Sequence, residues 1–129
     1  MNLRRSMGKI YESVLKNSEL LRPQYEPEGY YYTYYTFSAR FDGTKYKISW
    51  EKFREKYIEN GGDGIYAASK LLFQEPIFKE KSIGFGETPT AVNLQKSLMN
   101  FTTNQSNQDD QNIQRDALIS TLKYFGDSV

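Results

Sequence analysis

The sequence contains no cysteine and no histidine among its 129 residues. Without cysteine there can be no disulfide bond, no thiolate nucleophile and no cysteine metal site. Without histidine the chain also lacks the side chain that best transfers protons near neutral pH, and a common zinc ligand. These absences argue against ordinary enzyme chemistry. We expect a protein that is not an enzyme and that holds no cofactor and no metal.

Long apolar runs are absent as well. No window approaches the roughly 18 apolar residues that a membrane-spanning helix needs, and residues 1–8 have positive charges without the apolar run of a secretory signal. We therefore expect a cytoplasmic protein that makes no contact with a membrane. The net charge is only +1, which provides no strong overall attraction to nucleic acid.

Aromatic residues are plentiful instead, and many of them lie in segment 30–50, where apolar and polar residues alternate around an Asp-Gly pair. Asp42-Gly43 is a strong signal for a two-residue turn that pairs Phe41 with Thr44, so the segment predicts a β-hairpin. Counting outward from this turn gives one buried face. That face consists of Tyr35, Phe37, Ala39, Tyr46, Ile48 and Trp50.

The opposite face of the predicted hairpin is aromatic and cationic. It carries Tyr30, Tyr32, Tyr34, Arg40, Lys45 and Lys47. Tyrosine and arginine are favoured in protein interfaces, while tyrosine rings beside cations also suit single-stranded nucleic acid. A third interpretation is that a helix of the same chain covers this face. The exposure of its tyrosines decides between these interpretations.

An amphipathic helix is predicted at the start of the chain. Apolar residues recur at helical spacing from residue 3 to residue 15, and the helix has to end before Pro23. Its polar side carries Arg4, Arg5 and Lys9, a second basic surface that could contact phosphate or an acidic partner. Cations on a helix face are more often simply solvated.

Capping residues predict further helices in the rest of the chain. Ser49 and Asp63 are each followed by apolar residues at helical spacing, and Thr88-Pro89 has the features of a helix start. The predicted bounds of these three helices are about 50–60, 63–73 and 88–101.

Composition divides the chain into three parts. Residues 1–101 form a compact α+β domain, residues 102–112 contain no apolar side chain and form a polar linker, and residues 113–129 form a C-terminal helix that is either docked or mobile. The predicted fold class is α+β, with an antiparallel β-hairpin packed on one face by four or five helices. A short third strand is possible at 77–78 or 83–85.

These features favour a non-enzymatic protein-binding module, such as an inhibitor, a regulator or a subunit of a larger assembly, of the kind found among phage or mobile-element accessory proteins. The expected partner is another protein, because a near-neutral charge with an aromatic and cationic face suits a protein interface better than a phosphate groove. The alternative is a small single-stranded nucleic-acid-binding protein that uses the same face. The oligomeric state does not follow from the sequence.

Overall fold

A computed structural model describes residues 2–67, 70–81 and 88–129 of the chain. Within these residues the fold is α+β, as predicted, with five α-helices and three β-strands. Their order and bounds are α1 Asn2–Val14, β1 Leu21–Pro23, β2 Phe37–Phe41, α2 Trp50–Glu59, α3 Pro76–Glu80, α4 Pro89–Gln95, β3 Leu98–Phe101 and α5 Gln108–Tyr124. A short 3-10 helix at Leu72–Gln74 precedes α3.

The three strands form one antiparallel sheet in the order β1-β2-β3. On one side of the central strand Leu21 stands opposite Phe41, and on the other side Phe37 stands opposite Phe101. β2 therefore takes its two partners from distant parts of the chain. An antiparallel sheet of three strands is confirmed, but neither strand that flanks β2 is at its predicted position, and β3 lies within a segment that was predicted to be helical.

The predicted β-hairpin of residues 30–50 is wrong in its second arm. The Asp42 carboxylate accepts a hydrogen bond from Thr44 N at 3.1 Å. Gly43 O then accepts one from Tyr46 N at 3.2 Å. An aspartate at a turn can bond to the backbone N–H two residues further on, as Asp42 does here. The chain after β2 therefore continues as a series of turns and does not form a second strand beside β2.

The first arm of that hairpin is a strand only from Phe37 onward. Tyr34 has a left-handed backbone conformation, with φ of 51°, which interrupts the alternation of a strand. Tyr34 is consequently buried, whereas Tyr35, predicted to be buried, is 79% exposed. From Phe37 the alternation is regular, and Phe37 and Ala39 face the core as predicted.

The core lies between one face of the sheet and the helices α1, α2 and α5. The Tyr11 ring of α1 lies 5.1 Å from the ring of Phe37 and 5.4 Å from the ring of Phe101. Tyr57 of α2 packs edge-on against Phe101 at 5.6 Å. α5 contacts both α1 and α2. Its buried apolar residues are Ala117, Leu118 and Leu122.

The helices after β2 agree with the prediction in part. Ser49 caps α2 as predicted, because its hydroxyl group accepts a hydrogen bond from Lys52 N at 3.2 Å. The helix predicted at 63–73 is wrong. Tyr66 instead exchanges two backbone hydrogen bonds with Asn100, at 2.9 and 2.8 Å, and this extended pairing excludes a helix there.

The last third of the chain differs from the prediction in its boundaries. α4 begins at Pro89 as predicted but ends at Gln95, because residues 98–101 pair with β2. A strand at 77–78 is wrong, since these residues belong to α3. The alternative position, 83–85, lies outside the described residues.

The segment predicted as a polar linker, residues 102–112, includes the beginning of α5. Asn107 caps this helix by accepting a hydrogen bond from Asp110 N at 2.9 Å. Thr103 and Gln105 are buried. The division of the chain into domain, linker and C-terminal helix stays a prediction. Among the described helices, none combines the length and the apolar character needed to cross a membrane.

Candidate functional site

The predicted basic surface of α1 meets tyrosines of the loop before β2 at the N-terminal end of that helix. The Arg4 guanidinium lies 5.2 Å from the centre of the Tyr35 ring, and its Nη1 donates a hydrogen bond to Tyr35 O at 2.8 Å. Arg5 lies 5.7 Å from the centre of the Tyr31 ring. Such cation–π contacts contribute roughly 0.5–1 kcal/mol each at exposed sites. The basic side of α1 and the tyrosine-rich loop before β2 are therefore joined.

The loop that meets this end of α1 exposes four tyrosine side chains to solvent. Tyr31 and Tyr35 are 78% and 79% exposed, and Tyr25 and Tyr30 are 79% and 69% exposed. Clustered exposed aromatic residues mark interaction sites, whereas single exposed ones are ordinary. We call this region the tyrosine surface. It consists of Arg4, Arg5, Tyr25, Tyr30, Tyr31 and Tyr35.

A polar cluster beneath the tyrosine surface anchors the loop to α1. The hydroxyl group of Tyr34 donates a hydrogen bond to Glu12 Oε1 at 2.5 Å. Lys9 Nζ lies 2.9 Å from a carboxylate oxygen of Glu12 and 2.9 Å from one of Glu26. Hydrogen bonds to these two carboxylates raise the pKa of Lys9. Burial, followed by the hydrogen bond to Glu12, raises the pKa of Tyr34 to about 12.

A cavity of about 190 Å³ opens beside this cluster, lined by Glu12, Gln24 and residues 32–38. The Tyr32 hydroxyl group borders it, accepting a hydrogen bond from Gln24 Nε2 at 3.1 Å and donating one to Tyr25 O at 2.6 Å. Sites for small organic ligands usually exceed roughly 300 Å³. This cavity therefore suits a single small polar group.

The residues predicted to share one hairpin face do not form one exposed face in the structure. Tyr30 is exposed on the tyrosine surface, Tyr32 is half-buried and Tyr34 is buried. The prediction that all three tyrosines line one displayed face is wrong. The rings of Tyr32 and Tyr34 do lie 5.8 Å apart, but the left-handed conformation of Tyr34 turns its ring inward against Phe37, 6.2 Å away. Their order along the chain alone suggested a common face.

The three predicted cations of that face are also dispersed. Arg40 is exposed on β2, and Lys45 and Lys47 lie in the turn that follows. Lys45 forms an ion pair with Glu19. Because the second arm of the hairpin does not form, these cations are not aligned with the tyrosines. Arg4, Arg5 and Lys9 of α1 contact tyrosine rings instead.

Sequence reasoning missed three exposed tyrosines of the site: Tyr25, Tyr31 and Tyr35. The assumed strand assigned Tyr35 to the buried side by alternation. Pro23, Pro27 and Gly29 were the available signal, because they indicate a loop whose side chains need not alternate.

Groups that hold metals or covalent cofactors are scarce in the described part of the chain. No three acidic side chains there gather as a metal site requires. Lys56 is half-buried, and every other lysine among those residues is exposed. Lys56 Nζ lies 4.2 Å from the centre of the Tyr124 ring and 3.0 Å from Glu59 Oε2.

Comparison with known proteins reveals a likeness of fold. No protein family and no curated protein matches the sequence. The fold is similar to that of the aminotransferase TlmJ from Streptoalloteichus hindustanus, with a TM-score of 0.74 and 17% identity. It is also similar to Helicobacter pylori PseC, an aminotransferase involved in the biosynthesis of pseudoaminic acid, with a TM-score of 0.73 and 11% identity. The likeness covers 95% and 96% of this chain but only 32% and 33% of those two chains.

This likeness contradicts the predicted function. Both neighbours are enzymes, so the prediction of a non-enzymatic inhibitor, regulator or phage accessory protein is wrong, and so is its alternative, a single-stranded nucleic-acid binder. The prediction relied on the missing histidine and cysteine, and their absence does not exclude a fold that enzymes use. What the chain shares with these aminotransferases is the fold.

Proposed function

We propose that this chain is one domain of an aminotransferase-like enzyme and that it works together with the part that holds the cofactor. One observation carries the proposal: 95% of the chain follows the fold of TlmJ while covering only 32% of that enzyme. A domain of this kind has its own hydrophobic core but performs its function with its neighbours. The neighbouring part would then supply the catalytic centre.

The described residues do not fit the cofactor of amino transfer. Pyridoxal phosphate carries the amino group from donor to acceptor, and a lysine holds it through a Schiff base. A lysine with that role is usually desolvated, whereas the described lysines are exposed or, for Lys56, already stacked and paired. The lysine would therefore belong to the other two-thirds of the enzyme.

We assign the tyrosine surface to the contact with that other part. None of the ion pairs between described residues includes Arg4 or Arg5, although Lys9, one turn further along α1, has two carboxylate partners. Interfaces favour tyrosine because it buries a large area for few lost degrees of freedom, and arginine because its planar guanidinium group donates several hydrogen bonds. The opposing surface would present carboxylates beside apolar side chains.

The experiment measures amino transfer by the polypeptide that contains this chain in its source cell. An antibody raised against the purified chain isolates that polypeptide under native conditions. We expect it to carry pyridoxal phosphate, detected by its absorbance, and to convert L-glutamate into 2-oxoglutarate while the absorbance changes. A polypeptide without the cofactor and without 2-oxoglutarate formation would contradict the proposal.

A parallel measurement on the isolated chain tests whether the cofactor is held by another part of the enzyme. After incubation with pyridoxal phosphate and dialysis, we expect no Schiff base to remain on a lysine, as detected by its absorbance, because no described lysine is buried. Retention of one equivalent, lost on substitution of a single lysine, would show that this chain contains the cofactor site itself. The proposed assignment of catalysis to the other part would then be wrong.

A further inference from the structure

The sheet has a second face, opposite the core, and two arginines meet on it. Arg22 of β1 and Arg40 of β2 stand directly opposite each other in the antiparallel register. Directly opposed residues have Cα atoms about 4.5–5.5 Å apart and point to the same side of a sheet. Both arginines are exposed. Like charges in this arrangement destabilise the pairing of the strands.

No described carboxylate forms an ion pair with either arginine. Asp42 lies within electrostatic reach, but its carboxylate is already engaged by the turn after β2. Hydrogen bonds from Thr44 lower the pKa of Asp42, and the attraction of the two arginines lowers it further by a smaller amount. The repulsion between Arg22 and Arg40 therefore stays largely uncompensated within the chain.

The two arginines line a cavity of about 370 Å³ whose remaining wall is mostly apolar. Leu98 of β3 stands opposite Arg40 in the sheet, and Leu94 of α4 lines the same cavity. A volume of this size is typical of a small-ligand site. Arginine binds phosphate with two parallel hydrogen bonds, so a pair of arginines can hold one phosphate group from two sides.

We propose that this cavity binds a small phosphate monoester, with its phosphate between Arg22 and Arg40 and its apolar body against Leu94 and Leu98. A phosphate monoester carries roughly two negative charges at about pH 7, which match the two guanidinium groups. The bound phosphate would neutralise the repulsion between Arg22 and Arg40. A carboxylate has a single charge and matches the pair less well. This site does not depend on the aminotransferase assignment.

The test is isothermal titration calorimetry of the purified protein with phenyl phosphate, inorganic phosphate and benzoate. We expect phenyl phosphate to bind most tightly, since inorganic phosphate lacks an apolar body and benzoate lacks the second charge. Arg22→Gln and Arg40→Gln are each expected to weaken binding about tenfold or more, because each removes charge-assisted hydrogen bonds. Lys16→Gln removes an exposed positive charge that does not line the cavity, and we expect it to leave binding unchanged.

Thermal denaturation of the same variants separates binding from folding. Because Arg40→Gln removes one of two repelling charges, we expect its melting temperature to equal or exceed that of the unsubstituted protein while binding is lost. The proposal would be overturned if the Arg22→Gln/Arg40→Gln double variant bound phenyl phosphate as tightly as the unsubstituted protein does. It would also be overturned if the unsubstituted protein did not bind phenyl phosphate at millimolar concentration. A loss with Lys16→Gln as large as that with Arg40→Gln, or tighter binding of benzoate, would overturn it too.

Discussion

Gly8 of α1 packs directly against the ring of Tyr34, and a Cβ atom at Gly8 would lie 2.4 Å from Tyr34 Cγ. The ring has little freedom to retreat, because it stacks on Phe37 and its hydroxyl group is bound to Glu12. α1 and the tyrosine-rich loop thus approach each other closely because residue 8 has no side chain. This contact sets the position of the loop that presents the tyrosine surface.

Gly8→Ala is expected to destabilise the protein. The added methyl group forces the ring or the helix to move, which costs about 1–3 kcal/mol. The better helix propensity of alanine returns only about 1 kcal/mol. Urea denaturation measures the difference. Ser13→Ala at an exposed position of α1 is the control and should not lower the free energy of unfolding. A gain in stability for Gly8→Ala would show that the loop is not fixed against α1.

Tyr34→Phe is expected to reduce the loss of stability at alkaline pH. Burial and then the bond to Glu12 raise the pKa of Tyr34 to about 12 in the folded protein, whereas an unfolded tyrosine has a pKa of about 10. Tyr34 therefore makes its full contribution to the free energy of unfolding below about pH 10, and this contribution is lost as the pH rises through the pKa of the folded protein. Melting temperatures across this range should fall less steeply for Tyr34→Phe, and Tyr31→Phe on the exposed surface should behave as the unsubstituted protein.

The carboxylate of Asp127 ties the C-terminal end of the chain to the loop before β1. It accepts hydrogen bonds from Ser18 Oγ at 2.5 Å, Glu19 N at 3.0 Å, Leu20 N at 3.2 Å and Tyr46 Oη at 2.9 Å. Burial by itself would raise the pKa of Asp127, but these bonds outweigh burial and hold the pKa below its usual value.

Asp127→Asn is therefore expected to lower stability at neutral pH, by about 1–3 kcal/mol. Because the folded pKa is depressed, this stability is present above the unfolded pKa of about 4 and is lost as the pH falls through the folded pKa. The difference in melting temperature between Asp127→Asn and the unsubstituted protein should become smaller at acidic pH. Circular dichroism melting curves at a series of pH values measure it, with exposed Asp116→Asn as the control. A difference that is constant with pH would contradict this account.

Gln114→Leu is expected to destabilise the contact between α2 and α5. Gln114 Oε1 accepts hydrogen bonds from Tyr57 Oη and from Asp63 N, each at 2.7 Å. Leucine has a similar size but removes the acceptor of both bonds. Asp63 N then loses its partner, at about 1–3 kcal/mol, and Tyr57 Oη keeps only its 3.5 Å contact with Tyr11 Oη. Guanidinium denaturation measures the loss, and Gln108→Leu at the exposed start of α5 is the matched control. Equal stability of the two variants would show that the hydrogen bonds contribute nothing.

The helices α1 and α2 could be predicted because their signals are local. Apolar periodicity defines α1, and Ser49 bonds to a backbone group only three residues away. The partners of β2 could not be predicted in this way. Asp42-Gly43 is compatible with a hairpin turn and with the turn observed, and the choice depends on pairing with residues 21–23 and 98–101, far along the chain.

Only part of the candidate site was predictable from the sequence. Arg4 and Arg5 were predicted as a basic surface and Tyr30 as a displayed tyrosine, whereas the contacts of the two arginines with Tyr35 and Tyr31 follow from how α1 packs on the loop. The left-handed Tyr34 has no local signal, since such a conformation in a tyrosine is sustained only by surrounding contacts, here those with Glu12 and Thr103.

The central position of β2 also has a consequence for synthesis. When β1 and β2 have left the ribosome, β3 has not yet been made, so one edge of β2 exposes unpaired backbone N–H and C=O groups. This edge is closed only after residues 98–101 emerge. A nascent chain that stalls before them carries an open strand edge beside the apolar face of Phe37 and Phe41, and an open edge of this kind promotes aggregation.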